Sequence, residues 1–415
     1  MKVIVIIGGG YAGVICANRL RSSLTDKEAS RVRIRLVNPI DRFVERIRLH
    51  EVAAGSRQSA ELPLSELLHP DVEVVLGLAV HIDPANRLVD IRHDGEVSAI
   101  AYDRLVYAVG SGASTARVPG ADRFAYAIAD PASAVAAAAV IAGRANGDPA
   151  AGSTPQRIVV VGGGFTGVET ASEVAEQRPD ADVTLVTSGP IVAPMRARAR
   201  RRIERTLARL GVTIEDRPFV TSVDDGALVF ADGTSLRFDV CLWTASFGVP
   251  ELARASGLAC DRVGRLRVDE HLRSIDAPEI LGAGDAVLLP DELGAHLRMG
   301  CAIALPLGGA AADTLLADLR GESLPVASAG FLVQCISLGR RDGYVQVVHA
   351  DDRSTPVAFT GWAGARIKEA ICRMTVDGPR KERTTPGAYW APKGPKAPKA
   401  PKNQNQTPTS EPVAR

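Results

Sequence analysis

The chain of 415 residues carries six cysteines, and no two of them stand close together in sequence. Cys16, Cys241, Cys260, Cys301, Cys335 and Cys372 are scattered, and none forms a CxxC pair. They read as buried thiols of a reducing compartment, with a single reactive thiol as the other reading, and they suggest no metal site. A run of about 18 apolar residues is also missing, which argues against a membrane-spanning helix. Charge of one sign is absent too. The net charge of +1 gives no reason to expect a nucleic-acid or strongly acidic partner. Met1 leads straight into an apolar strand-like segment, so no secretory leader is expected and the location reads as cytoplasmic. With 46% hydrophobic and 23% charged residues, the chain is long enough for two or three domains with their own cores.

Against these absences stands one signature, present twice. The first copy is Ile4-Val5-Ile6-Ile7-Gly8-Gly9-Gly10-Tyr11-Ala12-Gly13, and the second is Ile158-Val159-Val160-Val161-Gly162-Gly163-Gly164-Phe165-Thr166-Gly167. Each follows a branched apolar run and opens a helix-like segment. Gly8 and Gly162 permit the tight strand-to-helix turn. Gly10 and Gly164 let backbone approach a pyrophosphate, and Gly13 and Gly167 let helix and strand pack closely. The helix N-terminus then offers unpaired N–H groups to the phosphates. One copy is weak evidence. Two imply two dinucleotides on one chain, for which a flavin and a nicotinamide are the natural pair.

The segments around the signatures repeat as well. Strand Lys2–Ile7, helix Ala12–Ser22 and strand Arg33–Asn38 are matched by strand Arg157–Val161, helix Gly167–Glu176 and strand Asp182–Thr187. Short strands are expected at Val72–Leu76, Leu88–Arg92, Leu105–Val109 and Val240–Thr244, with a hairpin turn at Asp232-Gly233. An alanine-rich helix, Ala132–Ala142, and a loose Gly/Pro/Ser stretch, 147–155, precede the second unit. Ile280–Ala286 reads as a strand running into a helix start. From about residue 381 the Pro/Lys-rich composition predicts a disordered tail, 381–415.

These motifs resemble the two-dinucleotide-binding-domain flavoproteins, and most of all type II NADH dehydrogenases and the related ferroptosis-suppressor and apoptosis-inducing-factor-like oxidoreductases. The resemblance spans roughly residues 1–325. It rests on the two fingerprints, Tyr107-Ala108-Val109-Gly110-Ser111, Trp243-Thr244-Ala245 and Gly284-Asp285. It implies an α/β fold with two Rossmann-like domains, the NAD(P) domain inserted in the FAD domain, plus a small C-terminal α+β region. The implied boundaries are 1–115 and 246–325 for the FAD domain, 116–245 for the NAD(P) domain and 326–380 for the C-terminal region. FAD would lie on Gly8, Gly10, Ala12 and Gly13, with Ala108 and Gly110 in the next turn. Asp285, after Gly284, would bind ribityl hydroxyls, or serve as a plain helix N-cap, or both. Asn38 stands where a ribose-binding acid is usual, and Val80 where backbone reads the adenine. Arg46 either touches the flavin or is an ordinary solvated arginine.

NAD(P)H would lie on Gly162, Gly164 and Gly167. Glu169 matches a family glutamate near the nicotinamide, and is alternatively an acid of the first helical turn favoured by the macrodipole. At the next strand end, Thr187-Ser188-Gly189 lacks the acid of an NADH-selective site, and arginines from Arg196 onward can pair with a 2′-phosphate. NADPH use or dual specificity follows. Without a close cysteine pair, electrons should pass from NAD(P)H through FAD directly to a small acceptor, a quinone-like one first. Ferredoxin-type reduction of a protein partner, and a redox-responsive binding protein with slow turnover, are the alternatives. Ala302 and Pro306 stand where type II dehydrogenases carry two glutamines near the quinone, and Glu45, Arg46 and Arg48 make the flavin-side loop charged. A pocket of Arg46, Arg48 and His50 would favour a polar acceptor. The amphipathic segment after Thr360, with Trp362, Ile367, Ile371 and Met374 beside Arg366, Lys368 and Arg373, packs on the core or on a second subunit of a homodimer, or lies on a membrane surface.

Overall fold

The computed structural model describes residues 1–115, 117–145, 155–245 and 247–395. Most of the loose stretch at 147–155, and the tail beyond 395, lie outside them. Five strands form the first parallel sheet, in the order Ile280–Gly282, Arg104–Tyr107, Lys2–Ile7, Val32–Asn38, Val72–Leu76. Ile4, Val5 and Ile6 are fully buried, as central strands of a sheet covered on both faces require. Helix α1 (Tyr11–Ser23) follows the first strand, and the short helix α2 (Leu49–Ala53) lies further on. A three-stranded antiparallel meander spans Leu78–Asp83, Leu88–His93 and Glu96–Ala101.

The second parallel sheet runs Tyr126–Ala127, Val240–Trp243, Arg157–Val161, Asp182–Thr187, Thr213–Asp216. Helices α3 (Phe165–Gln177) and α4 (Ala197–Arg209) connect its strands. The chain leaves the first sheet after Tyr107 and returns to it at Ile280, so the second unit is an insertion in the first. Gly112 and Ala113 pair antiparallel with Gly248 and Phe247, which ties the outgoing and returning connections together. Leu49, Val52 and Ala53 of α2 bury in the second core, beside Ile336 and Tyr344 from the C-terminal region. Three parts of the chain thus share that core.

Two segments differ from the sequence reading. Ile280–Gly282 does not run into a helix; the chain turns at Gly284-Asp285 and enters a short strand, Val287–Leu288. Gly284 takes φ +85°, the left-handed region, and such a turn breaks the strand before a helix can start. Helix α5 (Cys301–Arg320), at mean hydropathy 1.3, is long and apolar enough to cross a membrane by length and composition. It is a core helix here. A Cβ on Gly308 would fall 2.3 Å from the Ala12 carbonyl, so α5 lies against α1 nearly backbone to backbone.

The C-terminal region is an antiparallel sheet of Val333–Ser337, Gly343–Val348 and Ser354–Thr360, followed by helix α6 (Gly361–Lys381). Gly364, Cys372, Thr375 and Val376 turn inward, while Trp362 and Met374 stay exposed. The helix packs on the core by one face and leaves Trp362 and Met374 exposed on the other.

Residues 381–395 are not a disordered tail. Glu382 is fully buried and receives Arg19 at 2.6 Å, and its carboxylate also accepts the N–H groups of Gly387 and Tyr389. Gly330 donates to Pro392 O, and Gly394 to Ser328 Oγ. The Pro/Lys composition hides this because one buried carboxylate organises the segment. Removing one partner of a buried pair costs about 3–5 kcal/mol. Glu382→Ala should therefore lower the urea midpoint clearly, whereas deletion of residues 396–415 should leave it unchanged. Equal midpoints for Glu382→Ala and the parent would contradict this docking.

Candidate active site

Both glycine turns have the geometry their roles need. Gly8 takes φ +109°, and a Cβ there would meet the Ala108 carbonyl at 2.3 Å. A Cβ on Gly13 would fall 1.8 Å from Gly8 O, which is the close approach of helix to strand. Gly10, by contrast, faces open space. The second turn repeats the pattern: Gly162 at φ +122°, Gly167 with 1.7 Å to Gly162 O, and Gly164 open. In each turn the residue with room is the one that must admit a phosphate. The first-turn N–H groups of α1 and α3 have no acceptors within their helices and point toward that room. The site fits FAD at one turn and NAD(P)H at the other.

Around the first turn a chain of hydrogen bonds converges. Ser111 Oγ donates to Asp285 at 2.7 Å, and the Gly300 N–H donates to its other oxygen, also at 2.7 Å. Asp285 does not cap a helix of its own. It joins the turn after Tyr107 to the residue before α5 and keeps lone pairs for a ligand hydroxyl. Arg46, exposed, donates to Ser111 O. Ala108 is buried behind Gly8, and Gly110 takes φ +68° with open space beside it. Val80 falls where the register shifts between Ala79 and His81, so the ladder skips its backbone. Asn38 is engaged within the protein: its Oδ1 accepts from Gly9 N–H at 2.8 Å and its Nδ2 donates to Ile40 O. It shapes the phosphate turn.

At the second turn Thr187 is buried and its hydroxyl donates to Gly189 O at 2.7 Å. Arg196 donates to Ser354 O in the C-terminal sheet. The backbone N–H of Arg217 donates to Thr187 O at 2.8 Å, while its guanidinium pairs with Glu215 at 2.7 Å.

Glu169 is the fifth residue of α3 and not a first-turn acid. It is buried and receives Lys368 Nζ at 3.1 Å, Ser337 N–H at 3.0 Å and Ser337 Oγ at 3.2 Å. Burial pushes its carboxyl up, but Lys368, His50 and Ser337 outweigh burial and hold it below the ordinary glutamate value. Burial also keeps His50 below the ordinary histidine value. Lys368 is no solvated cation of an amphipathic helix. Burial opposes its charge, yet Cys335, Glu169, Cys372 and Cys301 around it raise its pKa well above the usual lysine value.

The charged loop is neutralised inside the protein. Arg48 is buried and pairs with Glu51 at 3.0 Å and with Glu369 at 2.6 Å. Glu51 also receives Arg57 and Arg340, and these cations with His50 overcome burial and hold its pKa at about 2. Arg48 and His50 therefore line no open polar pocket, contrary to the sequence reading. All six cysteines are free thiols. Three that are scattered in sequence meet around Lys368, and burial pushes Cys301 up to about 12 and Cys372 up to about 11, so both stay protonated.

Residues 2–304 match the family described as pyridine nucleotide-disulphide oxidoreductase. An NADH dehydrogenase-like protein of Mycobacterium tuberculosis is 30% identical over 355 residues, covering 82% of this chain and 86% of that protein. The type II NADH:quinone oxidoreductase of Mycobacterium tuberculosis is 30% identical over 318 residues, covering 68% of this chain and 66% of that protein. The sulfide:quinone oxidoreductase of Aquifex aeolicus shares the fold, with TM-score 0.75 at 18% identity and 93% of each chain covered.

Two outcomes follow. Asp285→Ala should elute from gel filtration without yellow colour while keeping its circular dichroism; full FAD content would contradict the role given to Asp285. Lys368→Met leaves Glu169 buried without its cation. Glu169's depressed pKa contributes stability above its unfolded value of about 4.3, and that contribution is lost as pH falls through the folded value. Without Lys368 the folded value rises, so acid unfolding of the variant should begin at higher pH. An unshifted acid midpoint would contradict the pairing.

Proposed function

The chain belongs to the pyridine nucleotide-disulphide oxidoreductase family, and from that premise we propose that it passes an electron pair from NAD(P)H through FAD to a quinone-type acceptor. It is a flavoprotein oxidoreductase that uses FAD and NAD(P)H. Bound FAD supplies a two-electron relay between nicotinamide and acceptor. The chain's own residues bind and orient. The Gly8–Gly13 turn takes one pyrophosphate and the Gly162–Gly167 turn the other, and Asp285 fixes the ribityl side through Ser111 and Gly300.

The observation that carries the acceptor reading is the Glu169–Lys368 pair at 3.1 Å, beside the second turn. Reduction of a quinone to a hydroquinone takes two electrons and two protons. Hydride transfer accounts for the electron pair and one proton. Lys368 keeps a positive charge at Nζ that can stabilise the hydroquinone anion, Glu169 keeps it in position, and solvent supplies the second proton. The ion pairs of Arg48 remove the objection that a charged loop repels an apolar acceptor. Exposed Val357, Phe359, Trp362 and Met374, beside Arg366 and Arg373, give a surface suited to peripheral contact with a membrane that holds a lipid quinone.

For the nucleotide, the absence of an acid at Thr187 and Ser188 favours NADPH used at least as well as NADH. Thr187 has no room for an acid, since a Cβ on Gly163 would already fall 2.3 Å from its Oγ1. Ser188 is exposed. Ser188→Asp should lower kcat/KM for NADPH more than for NADH, by about tenfold if the new carboxylate costs the 2′-phosphate about 1.4 kcal/mol. Steady-state assays with NADPH or NADH against a water-soluble quinone, ferricyanide and a ferredoxin check both readings. Turnover with the quinone well above that with ferredoxin is expected. Turnover with ferredoxin alone, or none with any acceptor, would overturn the acceptor reading, and an unchanged nucleotide ratio in Ser188→Asp the nucleotide reading.

A further inference from the structure

A cavity of about 510 Å³ opens between α4 and the C-terminal sheet. Four arginines of α4 and its N-cap line it, Arg196, Arg198, Arg202 and Arg205, facing Tyr344 and Gln346. No acidic residue lines it, and neither do residues of the glycine turns. The arginines are poorly neutralised from within. Arg196 donates to a backbone carbonyl, Ser354 O, and Arg205 to Arg201 O of its own helix. Arg202 Nε is buried without a hydrogen-bond partner, and the acid near Arg202, Asp342, stands at 3.6 Å and is shared with Arg209 at 2.9 Å. Arg198 has no ion pair among the described residues.

Four guanidinium groups held at one cavity repel one another, and each keeps unused N–H donors. The opposite wall is rigid: Gln346 Nε2 donates to Thr355 O at 2.9 Å and to Val357 O at 2.7 Å. The N-terminus of α4, a helix of 13 residues, adds its positive dipole end at Arg196. The volume lies in the range of ligand pockets. Guanidinium forks pair bidentately with carboxylate and phosphate alike, and four of them at one cavity favour a multiply charged phosphate over a single carboxylate. We infer that this cavity is a phosphate-binding site separate from the dinucleotide turns. It takes a multiply charged phosphate, either free in solution or on a lipid headgroup. A lipid headgroup offers the same phosphate chemistry as a free phosphate, and the two sources are told apart by the probes.

The test uses the FAD-loaded full chain. Inorganic pyrophosphate is titrated calorimetrically, with and without saturating NADPH. Sedimentation then compares phosphatidylcholine vesicles with and without phosphatidic acid, whose headgroup is a phosphomonoester. Arg202→Gln/Arg205→Gln should weaken pyrophosphate or anionic-vesicle binding by about tenfold or more, which is about 1.4 kcal/mol. Flavin content and the turnover number should not change. Arg202→Lys/Arg205→Lys keeps the charge and should fall between the two, which serves if the glutamine variant folds poorly. Pyrophosphate binding that NADPH leaves intact assigns a soluble phosphate, and binding confined to the anionic vesicles assigns a headgroup. Displacement by NADPH, binding unaffected by the substitutions, or no binding of either probe would overturn the inference.

Discussion

The carboxylate of Glu169 is where three parts of this chain meet, and the arrangement around it depends on a buried charge being paired. It projects from α3 of the inserted domain, accepts from Ser337 of the C-terminal sheet, receives Lys368 from α6 and lies near His50 of α2. An ionised group in a water-poor interior is tolerated only with partners at good geometry. The pair therefore dictates how α6 seats against the inserted domain. Next to it, Glu51 does the same for Arg48, Arg57 and Arg340, and Glu173 receives Arg340 at 2.9 Å and Ser56 as well. These carboxylates turn three sequence regions into one packed junction beside the second glycine turn.

Both phosphate turns were legible in the sequence because their requirements are local. A left-handed φ, a backbone contact and an open face fall on glycines a few residues apart, so Gly8, Gly10 and Gly13 can be assigned without knowing the rest of the chain. Asp285 stood out as following a glycine at a strand end, and its ribityl role came from the resemblance. Its partners Ser111 and Gly300 are far away in sequence, and only the sheet order brings them to it. The insertion of one Rossmann unit in the other rested on resemblance, because no local signal tells a strand near residue 280 to return to the first sheet.

What was not legible shares one cause: a charged residue reads as solvated until its partner is found. Lys368 belonged to an amphipathic face by spacing, yet it is the counterion of Glu169. Arg48 and His50 suggested a polar pocket, yet burial and Glu51 and Glu369 claim them. Arg196 suggested a nucleotide phosphate, yet it reaches Ser354. Glu382 sat in a segment of disordered composition, yet Arg19 draws it inside. Each pairing joins positions remote in sequence, where neither periodicity nor composition carries information.

The central claim is that reducing equivalents enter from NAD(P)H and leave to a quinone through a flavin held between the two turns. Anaerobic rapid mixing separates the two halves. The FAD-loaded protein is first mixed with NADPH or NADH and then, in a second step, with a soluble quinone, while flavin absorbance is followed near 450 nm. The account predicts bleaching by the nucleotide and full recovery on adding quinone, at a rate at least equal to steady-state turnover. Bleaching without recovery on quinone, or no bleaching by either nucleotide, would contradict it.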